Sequence, residues 1–408
     1  MTEVDVAIVG AGAAGVGAAR RLAGTGASCV ILEAGDRVGG RAWTQRMADG
    51  PLDLGCGWLH SADRNPWVAI AEEAGFTIDR TPTAWGQQYR DLGFPRSEQA
   101  EAHAAYQAFD QRLREAPPAS DRASDALLPG SPWNGFIDAL SGYINGAGLA
   151  ALSVADYLAY DDAATERNWR LPAGYGTLVA ASLPPVPLHL ACPVNAIALS
   201  DRHVELATPR GTVRARAAIV TVSTHVLTSG ALTLPAAASD HVAAAAALPL
   251  GLANKLFLAI DSGSDIEADT HVIGRPRMAE TGSYYLKPFG RNIVECFFGG
   301  EGASDLEAGG LDGAAAFAID ELAGLFGTSI RRRLRLVAGS AWRGADGFGG
   351  SYSHALPGHA DARGKLAVPV QDRLFFVGEA CSTTDFSTCH GAFQTGQAAA
   401  AATLGAIG

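Results

Sequence analysis

Lysine is nearly absent: of 31 basic side chains only Lys255, Lys287 and Lys365 are lysine, and the rest are arginine. Such a bias marks a retained lysine as a position arginine does not fill. Cysteine is sparse and scattered, six residues (Cys29, Cys56, Cys192, Cys296, Cys381, Cys389) without a CxxC pair. That spacing excludes the usual zinc and iron–sulfur frameworks, so no metal is expected. No apolar run reaches the ~18–20 residues needed to span a bilayer. The most apolar stretch, Val242–Ala253, is 12 residues long and interrupted by Pro249. Met1-Thr-Glu runs straight into a strand pattern without a basic leader. The expectation is free thiols in the cytoplasm, with no membrane partner. The charge pattern reads as free of polybasic runs and the net charge is −11, so the usual electrostatic grip on DNA or RNA is not expected. The acidity suits a cationic small molecule, but spread over 408 residues it is mostly ordinary solubility.

Apolar residues make up 48% and charged ones 18%, enough to bury a large core. At roughly 150 residues per domain the chain predicts two to three domains, or two that exchange segments. Val4–Val9 reads as a buried parallel strand, Ala13–Leu22 as a helix and 29–33 as a second strand, a βαβ unit. Residues 97–115 and parts of 131–161 read as helices. From Val194 the texture changes to short strands at 194–199, 203–208, 212–222, 254–261, 283–287 and 292–298. A helix over 312–326, a strand over 373–377 and a small-residue helix over 390–404 end the chain. This order predicts an α/β protein: a discontinuous Rossmann-type dinucleotide domain with an α+β substrate domain inserted. The expected boundaries give the nucleotide domain 1–75, 166–235 and 341–408, and the substrate domain 76–165 (helical) and 236–340 (mixed sheet).

Gly10-Ala-Gly12-Ala-Ala14-Gly15 stands between the first strand and the first helix. Gly10 permits the tight turn, Gly12 admits a pyrophosphate to the backbone, and Gly15 lets helix and sheet pack closely. Glu33 ends the second strand, where a carboxylate would accept from ribose hydroxyls. Alone, the glycine spacing also fits a plain turn; the strand–turn–helix–strand–Glu context selects dinucleotide binding. A second glycine loop with a cation, Gly39-Gly40-Arg41, suits FAD rather than NAD. Gly378-Glu379, after the late strand, fits a carboxylate reaching ribitol.

Together these motifs resemble the flavin-containing amine oxidase family, alongside monoamine and polyamine oxidases. The likeness spans both ends of the chain and islands between; residues 76–165 match no motif. It implies FAD, a two-domain fold, and oxidation of an amine to an imine that water hydrolyses, with dioxygen reduced to hydrogen peroxide. Pro193-Val194 resembles the family's adenine-contacting segment. The stretch from Ile219 to Leu227 resembles another family stretch, with Ser223 and His225 where proline and glycine are usual. The resemblance extends the cofactor set to Ala14, Ala34, Gly57, Trp58, Val194, Trp342, Thr388 and Cys389.

Lys255 lies in an apolar strand pattern, which by itself fits either a snorkelling edge lysine or a burial-sensitive amine. The resemblance makes it the residue that holds a water against the flavin. Trp342 and 349–353 resemble the flavin-facing C-terminal segment. Ser351 stands where monoamine oxidases carry the cysteine that links to flavin, so the FAD is expected to be noncovalent. Tyr352 would form one wall of an aromatic cage; Thr388 occupies the opposite wall, where monoamine oxidases have an aromatic. Residues 387–392 and the Gly57-Trp58-Leu59-His60 segment are closer to polyamine oxidases. His60 is then either a structural loop histidine or a substrate-pocket residue. The last helix would aim its N-terminal amides at the flavin's pyrimidine edge, an effect of about 0.3–2 kcal/mol. Asp156, Asp161, Asp162 and Glu166 are candidate entrance acids. The expected catalytic set is Lys255, Tyr352, Thr388 and His60, the partners a small amine and dioxygen, the assembly a monomer or homodimer. Rival readings are an L-amino-acid oxidase, a flavin desaturase and a flavin-binding protein without turnover.

Overall fold

The computed structural model describes residues 2–200, 202–261, 263 and 265–408. Strand β1 (Thr2–Val9) runs into Gly10, the first helix follows at Ala13–Leu22, and β2 (Cys29–Leu32) lies parallel to β1 with Val9 opposite Leu32. The hairpin β3 (Thr44–Met47) and β4 (Gly50–Asp53) comes next. A short antiparallel pair, β5 (Trp58–Leu59) and β6 (Trp169–Arg170), brackets the helical segment. Strands β7 (Leu188–His189), β8 (Ala196–Leu199), β9 (Val204–Thr208) and β10 (Gly211–Val220) complete one sheet in the order β7-β2-β1-β10-β9-β8.

The second sheet is antiparallel: β11 (Ala253–Ile260), β12 (Thr270–Ile273), β13 (Ser283–Leu286), β14 (Ile293–Gly299) and β15 (Leu334–Gly339), ordered β12-β13-β14-β11-β15. Then β16 (Leu374–Phe376) returns to the first sheet, parallel to β10 with Phe375 opposite Ile219. Opposite ends of the chain thus close the parallel part of one sheet, which β9 and β8 extend antiparallel, the discontinuous α/β fold expected from the sequence.

The first sheet is apolar on both faces because both are covered. Ile8, Ile31, Ile219 and Phe375 pack under the first helix and the last (Cys389–Ile407). Val9, Val30, Val220 and Phe376 pack on the other side with Leu227, Leu248 and Leu366. The two helices touch through glycines. A Cβ on Gly17 would lie 2.3 Å from the Phe393 carbonyl, and one on Gly396 would lie 2.0 Å from that of Ala14. The small-residue composition of the last helix is therefore required by its contact with the dinucleotide helix.

Register decides what the second sheet presents. Pairing sets Lys255, Phe297 and Ser283 in one row, and Phe257, Glu295, Tyr285 and His271 in the next, all on one face. The alternate residues Leu256, Leu258, Tyr284, Val294 and Cys296 join the core that includes the helix Gly310–Phe326. One face is core; the other carries charge and rings.

Candidate active site

The carboxyl ends of β1, β10 and β16 meet at one crevice, the position where open α/β sheets bind ligands. Its first wall is the glycine turn. A Cβ on Gly15 would sit 2.1 Å from the Gly10 carbonyl, and one on Gly10 would sit 2.4 Å from Thr221 Oγ1, so neither position admits a side chain without movement. The second glycine loop docks on the first: Gly39 donates its N–H to the Ala11 carbonyl at 2.9 Å, and Gly12 and Gly39 form a bridge. Glu33 closes the far end, its Oε2 accepting from Ala11 N at 2.6 Å, with exposed Ala34 beyond it. Residues 191 and 192 donate to the Gly35 and Glu33 carbonyls, which brings buried Val194 alongside. Arg41, Thr221, Gly378 and Glu379 line the continuation of the crevice. Two glycine turns at a helix N-terminus, Glu33 at one end and Arg41 at the other are the groups that FAD needs.

Glu379 is more committed than a free ribitol acceptor would be. It is buried, accepting from Arg41 Nη1 (3.0 Å), Ser353 Oγ (2.7 Å) and Ser387 N (3.0 Å). Burial would raise its pKa, but Arg41 and Ser353 outweigh that and hold it below the ordinary carboxylate value. Its first duty is to fix Arg41, which also donates to the Ser351 carbonyl at 2.5 Å. Trp342 is buried, donating Nε1 to the Leu54 carbonyl and standing behind Gly55. Ala14 lies buried between the first and last helices.

Lys255 is buried on the charged face of the second sheet, its Nζ 2.8 Å from Glu295 Oε1. Burial pushes its pKa down, but Glu295 and Asp53 push it up further, so the ammonium stays charged. Neither an edge lysine nor a depressed amine describes it. Asp53 is buried; desolvation raises its carboxyl and Lys255 pulls the other way. It accepts from Thr44 Oγ1 at 2.5 Å and from Tyr175 N at 3.0 Å. Gly57 lets the chain pass, since a Cβ there would fall 2.7 Å from Nζ.

His60 gives Nδ1 to Asn168 Oδ1 at 2.7 Å, and Asn168 Nδ2 in turn donates to the Glu166 carbonyl, which fixes the amide orientation. Nδ1 is therefore the protonated nitrogen, and Nε2 keeps its lone pair. Burial lowers the ring's pKa to about 4, with His390 and Lys255 adding to the effect, so His60 is neutral at pH 7. Trp58 packs with Trp85 (4.4 Å between ring centroids) and Tyr285 (5.8 Å). Its ring belongs to the aromatic wall beside His60 rather than to the dinucleotide channel.

The hydroxyls of two expected catalytic residues are engaged within the protein. Thr388 is the N-cap of the last helix: its hydroxyl donates to the Asp385 carbonyl (2.6 Å) and accepts from Gly391 N (2.9 Å). It sets where the helix begins, and its hydroxyl is committed to that cap. Tyr352 donates its hydroxyl to the Tyr143 carbonyl at 2.7 Å, so only its ring remains for a ligand. Of the candidate entrance acids, three are held in ion pairs and Glu166 is exposed next to the partner of His60. Asp156 is buried against Arg363, Asp161 and Asp162 pair with Arg114, and Glu166 offers its carbonyl to Asn168. Sequence reasoning missed Glu295, Asp53 and Asn168. A signal existed for the first, since Glu295 is the one charge in its strand, as Lys255 is in its own.

No nucleophile is poised for a covalent flavin bond. Ser351 Oγ is buried and saturated, donating to the Ala253 carbonyl and accepting from Ala253 N. Burial pushes the Cys381 thiol up to about 12, far from thiolate. The Cys56 thiol is raised by its neighbour Cys389 and by burial. Acid precipitation of purified protein should release all the flavin into the supernatant; yellow colour left in the pellet would refute noncovalent binding.

Residues 13–404 match the family described as flavin containing amine oxidoreductase. Polyamine oxidase 2 of Arabidopsis thaliana is 27% identical over 97% of this chain and 87% of its own length. Lysine-specific histone demethylase 1 homolog 3 of Oryza sativa subsp. indica is 29% identical over 96% of this chain, which covers 53% of that protein. Putrescine oxidase of Kocuria rosea is 44% identical over 73 residues, 18% of this chain and 15% of its own. In fold, the chain resembles a wild-type putrescine oxidase structure with putrescine bound, at TM-score 0.76, 18% identity and 99% coverage of both chains.

Proposed function

We propose, for a chain that belongs to the flavin-containing amine oxidoreductases, that the amine it oxidises is an aliphatic polyamine or a related primary or secondary alkylamine. FAD, when bound, supplies the acceptor for the two electrons released as amine becomes imine, and their route to dioxygen. The neutral His60, with its Nε2 lone pair turned away from Asn168, carries the reading: it accepts a hydrogen bond from a substrate N–H. It does not take the proton. Moving one from an alkylammonium near pKa ~10.4 to a ring near 4 is uphill by about 8–9 kcal/mol. The amine therefore reaches the site already neutral, and His60 orients it. Trp58, Trp85 and Tyr285 give the carbon chain an aromatic wall, which the Arg170 guanidinium backs by stacking on Trp58 and Tyr285. Lys255, clamped by Glu295, donates to a water or to the developing charge beside the ring.

Likeness to plant polyamine oxidases and to a bacterial putrescine oxidase supports the alkyl polyamine class over aromatic amines. The proposal keeps the protein in the cytoplasm as a monomer or homodimer; six free cysteines, and the lack of a described helix able to cross a membrane, are consistent with it. The test is peroxide release with spermine, spermidine, putrescine, benzylamine and L-amino acids. Polyamines should lead, and kcat/KM should climb with pH toward the amine's own pKa, with no inflection near 6.5. Turnover confined to amino acids would overturn the proposal.

A further inference from the structure

Contrary to the expectation of no polybasic run, Arg331-Arg332-Arg333-Leu334-Arg335 is one, short and within a chain of net charge −11, and the fold gives it a setting. Arg332, Arg333 and Arg335 line a cavity of about 430 Å³ at the end of the second sheet remote from Lys255. Arg335 stands opposite Ala259 of β11, and Ala259 stands opposite Ile293 of β14. Arg291, two residues before Ile293, also lines the cavity, its guanidinium lying over the Phe289 ring. The turn between β3 and β4 supplies the far wall at Asp49, and Asp261 stands at the rim. Four cations face two carboxylates. Arg332, Arg333 and Arg335 have no ion-pair partner among the described residues, whereas their neighbour Arg331 is paired with Asp320. Arg291 is half-buried and holds the Pro51 carbonyl at 2.6 Å, so its place in the wall is fixed. Ala259, the lining residue of β11 nearest Lys255, is four positions along the strand from it, about 13 Å, so the cavity is distinct from the amine site.

We infer that this cavity is a binding site for a compact polyanion, a chain of two or three phosphate groups. Unpaired guanidinium groups converging in a cleft recognise phosphate through paired N–H donors, and the excess of cations over carboxylates sets the sign. Its volume is that of a small-molecule site. No aromatic ring lines it, so there is no platform on which a nucleobase would stack, and the phosphate chain itself is the recognised part. Free tripolyphosphate and the triphosphate of a nucleotide share this chemistry.

The test is titration calorimetry of the FAD-loaded protein at low ionic strength with tripolyphosphate and, separately, ATP. Because the cofactor fills its own channel, neither probe reports on it. One tripolyphosphate should bind per chain, ATP should match it within about threefold, and added salt should weaken both. The double variant Arg332→Ser/Arg335→Ser removes two cations from the rim and should bind at least about tenfold more weakly, with amine turnover unchanged. Equal affinity of parent and variant, or binding of ATP without tripolyphosphate, would overturn the inference. An inactive amine site would leave the calorimetric result standing.

Discussion

Lys255→Met slows reduction of the flavin by amine, or its reoxidation by dioxygen, by at least about tenfold in stopped-flow traces, while FAD stays bound. The magnitude follows from removing one preorganised charge from a water-poor site, where a single donor is worth roughly 10²–10³ in rate in well-studied cases. The side chain is buried and held 2.8 Å from Glu295, so little reorganisation is needed when charge develops nearby. Methionine matches the stem in length and keeps the packing. It leaves buried Asp53 without the cation that lowers its pKa, so its carboxyl, already raised by desolvation, rises further. Retention of FAD is expected because the glycine turns, Glu33 and Arg41 are remote from β11 in the sequence and do not depend on Nζ. If both half-reactions keep the parent rates, Lys255 has no part in the chemistry.

The nucleotide half of the molecule was legible because its signals are local. A β-branched run, three glycines at fixed offsets, a helix and Glu33 fall within one βαβ unit, and each residue's task is set by its neighbours in sequence. The final strand, Leu374–Phe376, was legible as apolar punctuation before Gly378. The hairpin over 44–53 was not. Its strands are four residues each, half exposed and of mixed polarity, so no alternation announces them. Yet that hairpin carries Asp53 to Lys255. The helical segment hid its purpose for a related reason: Asp156 looks like any surface acid on a helix until the fold sets Arg363 against it. The capping role of Thr388 was hidden because the motif drew attention to the flavin side, whereas its hydroxyl serves the start of the helix. Long-range ion pairs leave a weak trace, a lone charge in an apolar strand, and Lys255 with Glu295 shows that two such traces of opposite sign are worth matching.

Asp156→Ala should destabilise the protein by about 3–5 kcal/mol, the usual result of stripping one partner from a buried ion pair. Arg363 and Asp156 are 1% and 2% exposed, joined at 2.6 Å and 2.8 Å in a two-pronged contact, with the Phe386 ring 3.6 Å from the guanidinium carbon. With Asp156 gone, the cation keeps only Ser353 and carbonyl oxygens, and water has no route to it. The same pair is the first link of a chain. Arg363 Nη1 donates to Ser353 Oγ at 2.9 Å, Ser353 Oγ donates to Glu379 at 2.7 Å, and Glu379 holds Arg41 at the flavin channel. A helix of the inserted segment is thus tied by four side chains to the cofactor's arginine. Loss of Asp156 should therefore lower the melting temperature and also speed release of FAD from the folded protein. The double variant Asp156→Leu/Arg363→Met separates the two effects. Apolar packing should recover most of the stability, because no buried charge is left unpaired, while Ser353 and Glu379 still lack Arg363 and flavin release stays fast. A melting temperature for Asp156→Ala within about a degree of the parent would show that the pair carries no net stability. Slow release in the double variant would show that Glu379 holds Arg41 without help from the helix.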